Sequence, residues 1–179
     1  MARLPRSTFP AYGVWHATTR GVERREVFLD RDDGRAFLAL LWRAVGRLEL
    51  DVYGLCLMPN HYHLVVETGD GALSNAMKAL NGRYAIRFNR RQGRDAHLFK
   101  NRFGAVLQES ESQLLWTLRY IVRNPVESLC AHPGEWPWSS HRACAGVASQ
   151  PGFLDVFGAL SYFGDESEAA RARYCRHVA

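Results

Sequence analysis

Residues 54–68 read GLCLMPNHYHLVVET, two apolar runs separated by Pro59-Asn60. Pro-Asn is typical of a tight turn, and the flanking runs favour strands, so the stretch predicts an antiparallel hairpin. Because side chains alternate across a strand, His61 and His63 should project from one face and Tyr62 from the other. Two adjacent imidazoles are half of a metal site, although an HxH pair taken alone is more often structural.

Outward from this hairpin, strands and helices alternate along the chain. The pattern predicts a first strand at 13–19, helices at 31–50 and 71–91, a fourth strand at 103–109 and a third helix at 110–124, which Pro125 ends. This order predicts an α+β fold: a ferredoxin-like antiparallel sheet with helices packed on one face. We expect residues 1–147 to form this domain and residues 148–179 to form a C-terminal helical extension.

Composition bounds the class of protein. The chain has 179 residues, of which 47% are apolar and 23% charged, as in a globular domain with its own core. Four cysteines without CxxC spacing predict no disulfide framework. We find no long uncharged apolar run, no apolar signal-peptide core in the first 13 residues and no P-loop pattern. These absences predict a cytoplasmic protein with no membrane contact and no nucleotide cofactor.

The charge balance favours a polyanionic partner. The chain carries 23 Lys+Arg against 18 Asp+Glu, and every cation except Lys78 and Lys100 is an arginine, whose planar fork suits phosphate. A 4-3-4 spacing predicts a basic stripe on the second helix, for which a solvated surface is the alternative. The stripe consists of Arg83, Arg87, Arg90 and Arg94, and further candidate phosphate contacts are Arg20, Arg24, Arg25, Lys100 and Arg102.

The third predicted helix carries a second polar pair. Tyr120 and Asn124 are four residues apart and therefore share one helical face. The neighbouring face should be the core-facing stripe, made of Leu114, Leu118, Ile121 and Val122. Tyr120 lies at the border of that stripe, where its ring can pack while its hydroxyl reaches a cleft.

Several separated motifs occur together in this chain. MPNHYHLVVE is followed by RYIVRNPVE and then WPWSSHRA, and it is preceded by WHATTRGVERREVF. The segment LFKNRFGAVL lies between MPNHYHLVVE and RYIVRNPVE. Together these motifs resemble the REP-associated tyrosine transposases of bacteria, which are single-tyrosine HUH transposases. The resemblance covers Tyr12 to Gly146. The chain departs from the family in the turn RGVERR and in SLCAHP after the third helix.

The resemblance implies the HUH endonuclease fold and a metal-dependent endonuclease and strand transferase for single-stranded DNA with hairpin-forming repeats. It implies that His61, His63 and Asn124 bind a divalent cation, Mg²⁺ or Mn²⁺. It further implies that Tyr120 attacks the scissile phosphate to form a 5′-phosphotyrosine, and that the protein acts as a monomer. Energy retained in that covalent link would let the strands rejoin without ATP.

The sequence leaves three alternative functions open. In these, the chain is a dimeric insertion-sequence transposase, a catalytically silent DNA-hairpin-binding protein, or an unrelated zinc protein in which Cys56 or Cys144 joins the histidines. A separate hypothesis is that a tail ending near His177 folds into the metal cleft and restrains activity. Trp136 and Trp138 are expected to close the core, with base stacking as the alternative.

Overall fold

The computed structural model describes residues 10–48, 50–69 and 72–179. Residues 1–9, on which the expectation of no signal peptide partly rests, lie outside the described residues. No helix in the described part of the chain has the length and apolar character needed to cross a bilayer. The elements are β1 (Gly13–Arg20), α1 (Arg31–Leu48), β2 (Leu50–Met58), β3 (His61–Thr68), α2 (Ala72–Gln92), β4 (Gly104–Leu107), α3 (Glu111–Arg123), α4 (His141–Cys144), α5 (Val156–Ser161) and α6 (Ser167–Val178).

The four strands form one antiparallel sheet in the order β2-β3-β1-β4. Strands β2 and β3 pair as the predicted hairpin, with Met58 opposite His61 and Cys56 opposite His63. Strand β1 lies between β3 and β4, so it is a central strand although it comes first in the chain. This order is the ferredoxin-like arrangement predicted from the alternation of elements.

Helices α1 and α2 pack on one face of the sheet, as predicted, whereas α3 covers the other face. Tyr62 points to the face that carries α1 and α2, where its ring centroid lies 4.6 Å from that of Phe37. Helix α3 packs on the opposite face, so close to β2 that a Cβ at Gly54 would lie 2.9 Å from side-chain atoms of Leu118 and Ile121. The predicted core stripe of α3 is therefore confirmed, and its register against the hairpin is set by side-chain packing.

The C-terminal extension is helical, as predicted, and it packs onto the same core through buried side chains such as Phe163 and Tyr174. Its last helix, α6, ends against α3. Arg123 Nη1 donates to the carbonyls of Val178 and Ala179, each at 2.8 Å, and Arg119 donates to the carbonyl of His177. Cations from α3 thus stabilise the C-terminal end of α6.

The two tryptophans of the turn-rich segment close the edge of β2. Trp136 Nε1 donates to the Leu57 carbonyl at 2.9 Å, and the Leu57 amide donates to the Trp138 carbonyl at 2.8 Å. The Trp138 ring lies directly against Gly34 of α1, where a Cβ would meet it at 2.7 Å. The expectation that these residues are packing residues is confirmed.

The aromatic cluster between α1, α2 and the sheet gives a stability prediction. Phe37 is fully buried and contacts the rings of Phe28, Tyr62 and Tyr84. Phe37→Ala should lower the free energy of unfolding by about 3–5 kcal/mol, measured by denaturant titration. The control is Ile86→Ala on α2, where the side chain is 71% exposed and we expect a change within about 0.5 kcal/mol. Equal effects of the two substitutions would contradict this packing.

Candidate active site

The two histidines of β3 lie side by side beneath α3. His61 and His63 are only 8% and 5% exposed, and their ring centroids are 4.9 Å apart. In the pairing of β1 with β3, Arg20 lies opposite His61 and Thr18 opposite His63. Opposed residues of an antiparallel pair share a face, so the Arg20 guanidinium belongs to the same side of the sheet as the imidazoles.

Helix α3 brings Tyr120 to these histidines. The Tyr120 ring packs edge-on against His63, with centroids 5.5 Å apart. On its other side it stacks parallel to Trp116, at 5.3 Å and an interplanar angle of 5°. The residue is 38% exposed, so it is held by two rings yet open to solvent. A large substrate can therefore reach the Tyr120 hydroxyl from solvent.

Asn124 caps the C-terminal end of α3, one turn after Tyr120. Its Nδ2 donates to the Tyr120 carbonyl at 3.1 Å. Burial lowers the pKa of His61, and the nearby Asn124 side chain opposes that shift in part. The structure therefore brings together Tyr120 and all three predicted metal ligands, while their roles stay predictions.

Both imidazoles are held neutral. Burial and, after it, the charge of Arg20 lower the pKa of His61 to about 4, against the effect of Asn124. Burial also places the pKa of His63 far below its ordinary value, helped by the nearby His16, His61 and Arg20. Neutral imidazoles carry the lone pair that a metal requires.

The donor set fits a divalent cation. His63 Nε2 is buried and has no hydrogen-bond partner among the described residues, an arrangement that costs free energy unless something binds there. In residues 10–48, 50–69 and 72–179, no three His, Cys, Asp or Glu side chains converge as a metal site. The resemblance implies that the third donor is the amide oxygen of Asn124, a ligand that would suit a hard cation.

The zinc alternative gains no support from the cysteines. Cys56 lies directly opposite His63 in the hairpin, on the same face. Burial raises its thiol pKa far above the ordinary value, which disfavours the thiolate that zinc binds. Burial likewise raises the pKa of Cys144 to about 12, and no Cys–His cluster of three occurs in the described chain.

Comparison with known proteins decides the family. The family model described as "Transposase IS200 like" matches residues 13–124, which include β1, the hairpin and all of α3. The chain belongs to the IS200-like transposase family. The predicted kinship is thereby confirmed, and DNA processing of the transposase type is its function. No curated protein matches.

Solved structures agree with the fold. This IS200-like chain is similar to a REP-associated tyrosine transposase whose structure is bound to a REP hairpin, with a TM-score of 0.68 and 16% identity over 87% of this chain and 90% of that one. It is also similar to a putative transposase from Deinococcus radiodurans, with a TM-score of 0.47 and 18% identity over 68% of this chain and 95% of that one. The first likeness confirms the ferredoxin-like architecture.

The candidate DNA contacts of this IS200-like transposase fall into two groups. Arg20, Arg24 and Arg25 lie at the end of β1 beside the histidines, and the Lys100 amide donates to the Arg20 carbonyl at 2.9 Å. Arg102 follows in the same exposed loop. Within this group, Arg20 is the residue that lies directly opposite a candidate metal ligand, His61.

The second group lies on α2, in the helical layer behind the sheet. Arg83, Arg87 and Arg90 are exposed there as predicted. The prediction that Arg94 belongs to the stripe is wrong, because α2 ends at Gln92. Arg94 lies beyond Gly93, whose positive φ of 60° breaks the helix. The neighbouring Arg91 instead pairs with Asp33 at 2.7 Å and with Asp30, which ties α2 to the start of α1.

Two site residues were missed by the sequence analysis. His16 has no ligand-like spacing in the sequence, yet its Nε2 lies 2.8 Å from His63 Nδ1 and its ring stacks on His63. Asn60 was interpreted only as a turn residue, yet its Oδ1 lies 2.6 Å from His61 Nδ1. The sequence shows that His16 alternates with Trp15 and Ala17, so it lies on the opposite face of β1 from these two residues. Which residue of β3 it contacts depends on the register between the two strands, which the sequence does not give.

The regulatory hypothesis for the C-terminal tail is wrong in this structure. His177 belongs to α6, and its Nε2 hydrogen-bonds the Leu115 carbonyl of α3 at 3.0 Å, with its ring against Phe163. It does not approach the candidate metal ligands, because the arginines of α3 hold the end of α6 on the outer side of that helix.

Proposed function

We propose that this IS200-like transposase is a metal-dependent endonuclease and strand transferase for single-stranded DNA with hairpin-forming, REP-like repeats. The observation that supports it most is the contact between the Tyr120 ring and His63, whose buried Nε2 faces no partner in the described chain. A phenol, two neutral imidazoles and an amide meet at one place. This set suits covalent phosphoryl transfer.

Tyr120 is the proposed nucleophile. Its phenolic oxygen forms a bond to phosphorus while the bond from phosphorus to the 3′ oxygen breaks. The phenolic proton is lost to solvent, and the leaving oxygen takes up a proton to become a 3′-hydroxyl. The product is a 5′-phosphotyrosine, which conserves the phosphodiester energy for rejoining. Trp116 and His63 hold the ring between them, so the hydroxyl is oriented before DNA binds.

His61, His63 and Asn124 would hold the cation, Mg²⁺ or Mn²⁺. When bound, it would supply Lewis-acid charge to the non-bridging oxygens of the phosphate. The burial of the histidines keeps both imidazoles unprotonated at neutral pH and excludes competing water. Asn124 is held in place by its bond to the carbonyl of Tyr120.

A hairpin substrate is supported by the fold and by the cations. The similar REP-associated transposase is bound to a REP hairpin, and the likeness spans 87% of this chain. The basic turn after β1 and the loop around Lys100 border the site, where they can bind phosphates of the flanking single strand. Arg83, Arg87 and Arg90 in the helical layer offer a second surface to the duplex stem.

We also propose that the protein acts as a monomer. Tyr120 reaches the histidines of its own chain, so the site needs no tyrosine from a second subunit. The dimeric alternative, with exchanged tyrosines, predicts that a mixture of a Tyr120 variant and a His63 variant regains cleavage. We expect no such recovery, and a single species of monomer mass in sedimentation.

The proposal is tested with labelled hairpin oligonucleotides carrying single-stranded flanks, incubated with purified protein and Mg²⁺ or Mn²⁺. We expect a nick and a protein–DNA adduct on a denaturing gel, both abolished by EDTA and both absent with a fully duplex oligonucleotide. Tight binding without cleavage in either metal would instead establish the catalytically silent hairpin-binding protein.

Arg20 gives a sharper prediction about the site. It lies opposite His61, on the face that carries both histidines, so we expect it to bind the scissile phosphate. Arg20→Gln should lower the cleavage rate about 100-fold, while Arg20→Lys should recover part of the loss. Hairpin binding should weaken far less, measured by fluorescence anisotropy. Arg83→Gln is the matched control, with weaker binding and little change in the rate at saturating DNA.

A further inference from the structure

His61 is joined to the turn after β1 through Asn60. The Asn60 Nδ2 donates to the Arg24 carbonyl at 3.2 Å, and a carbonyl only accepts, so this bond fixes which end of the amide carries oxygen. The Oδ1 then faces His61 Nδ1 at 2.6 Å and must accept from it. The proton of neutral His61 therefore resides on Nδ1, which leaves the lone pair on Nε2.

The same question arises for His63, whose Nδ1 lies 2.8 Å from His16 Nε2. If His16 donated, the proton of His63 would sit on Nε2, which is buried and has no partner in the described chain. If His63 donates from Nδ1, its Nε2 instead carries a lone pair, which a bound cation would use as a ligand. The second arrangement matches the one that Asn60 imposes on His61.

We propose that Asn60 and His16 are positioning residues that hold His61 and His63 with their protons on Nδ1 and their Nε2 lone pairs free for one divalent cation. In metal sites a ligating histidine donates its other ring N–H to a fixed acceptor, which sets the tautomer and ring orientation. Here the acceptors are an amide and a third imidazole. The inference deepens the proposed function and rests on it for the identity of the cation.

His16 also restricts the orientation of the His63 ring. The two rings stack with centroids 5.1 Å apart and planes 26° apart, while Tyr120 contacts both His16 and His63 from the side of α3. A rotation of His63 would break the bond to His16 and the edge contact with Tyr120 together. His16 thus orients the ligand and, through it, supports the nucleophile.

The direct test is the tautomer of each histidine in the metal-free full-length protein. Two-bond ¹H–¹⁵N correlation spectra at neutral pH distinguish protons on Nδ1 from protons on Nε2. We expect His61 and His63 to be Nδ1–H species. A proton on His63 Nε2 in the wild-type protein would overturn the proposal for His16, and a proton on His61 Nε2 would overturn it for Asn60.

Matched variants test the consequence. His16→Phe keeps a ring but no acceptor, and should weaken Mn²⁺ binding about 10–100-fold in calorimetric titration. His16→Gln, whose Oε1 accepts at a similar reach, should restore both the His63 tautomer and most of the affinity. Asn60→Leu and Asn60→Asp form the corresponding pair for His61. Unchanged affinity in His16→Phe, or a glutamine variant as weak as the phenylalanine one, would contradict the proposal.

The readouts separate this inference from the proposed function. The tautomers are measured on the wild-type protein without metal or DNA. The spectrum therefore tests the inference even if a variant does not fold. Wild-type protein that neither binds Mn²⁺ nor cuts the hairpin would overturn the proposed function. Wild-type protein that does both, with His63 protonated on Nε2 before metal is added, would overturn only the inference.

Discussion

Tyr120→Phe should abolish both the nick and the covalent adduct on hairpin DNA, with a rate at least about 1,000-fold below that of the wild type. The substitution removes only the phenolic oxygen and keeps the ring that packs between Trp116 and His63. Because the side chain is partly exposed, the thermal midpoint should stay nearly unchanged. The measurement is single-turnover cleavage on a denaturing gel, with circular dichroism for the fold.

The matched control is Tyr12→Phe. Tyr12 is 70% exposed and contacts Gly69, beyond the end of β3 that lies away from His61. This variant should cut and form the adduct at the wild-type rate. An adduct that persists in Tyr120→Phe would mean that another residue is the nucleophile, and the proposed mechanism would fail at its central step.

The second large effect is expected from the histidines of β3. His61→Ala and His63→Ala should each lower cleavage about 1,000-fold and each abolish measurable Mn²⁺ binding, because each removes one of three proposed ligands. Hairpin binding should persist, since the cations beside the site are unchanged. Calorimetry with Mn²⁺, single-turnover cleavage and anisotropy separate these effects.

His97→Ala is the control for general effects of removing a histidine. His97 is exposed in the loop before β4 and belongs to none of the strands or helices that carry the candidate ligands. It should leave metal binding and cleavage unchanged. Full cleavage by His61→Ala in saturating Mn²⁺ would show that this imidazole is not a required ligand, and retention of tight Mn²⁺ binding in both histidine variants would place the metal elsewhere.

The packing of the two faces explains why the nucleophile and the ligands meet. Gly54 lets α3 approach β2, and the core stripe of α3 then fixes the rotation of the helix. Tyr120 and Asn124 lie on the neighbouring face, which is directed to the hairpin. The position of the tyrosine is thus a consequence of apolar packing, and polar contacts refine it.

Local pattern was sufficient for most of the fold. The Pro59-Asn60 turn between two strand-forming runs predicts the hairpin, and period-two alternation separates His61 and His63 from Tyr62. The helical spacing of Leu114, Leu118 and Ile121 likewise predicts the buried side of α3. These features depend on neighbours in the chain, so the sequence carries them directly. The end of α2 is predicted to within one residue, but the basic stripe that continues to Arg94 is wrong, because Gly93 ends the helix.

The sequence by itself determined the antiparallel hairpin, the pair of imidazoles on one face, the order of the elements and the kinship with IS200-like transposases. Only the tertiary structure decided that His16 hydrogen-bonds His63, that the end of α6 binds α3 instead of the metal ligands, and that the basic residues divide between two surfaces. The reason is physical: alternation and periodicity assign a residue to a face, whereas register between distant strands and the docking of helices are set by the packing of the whole core.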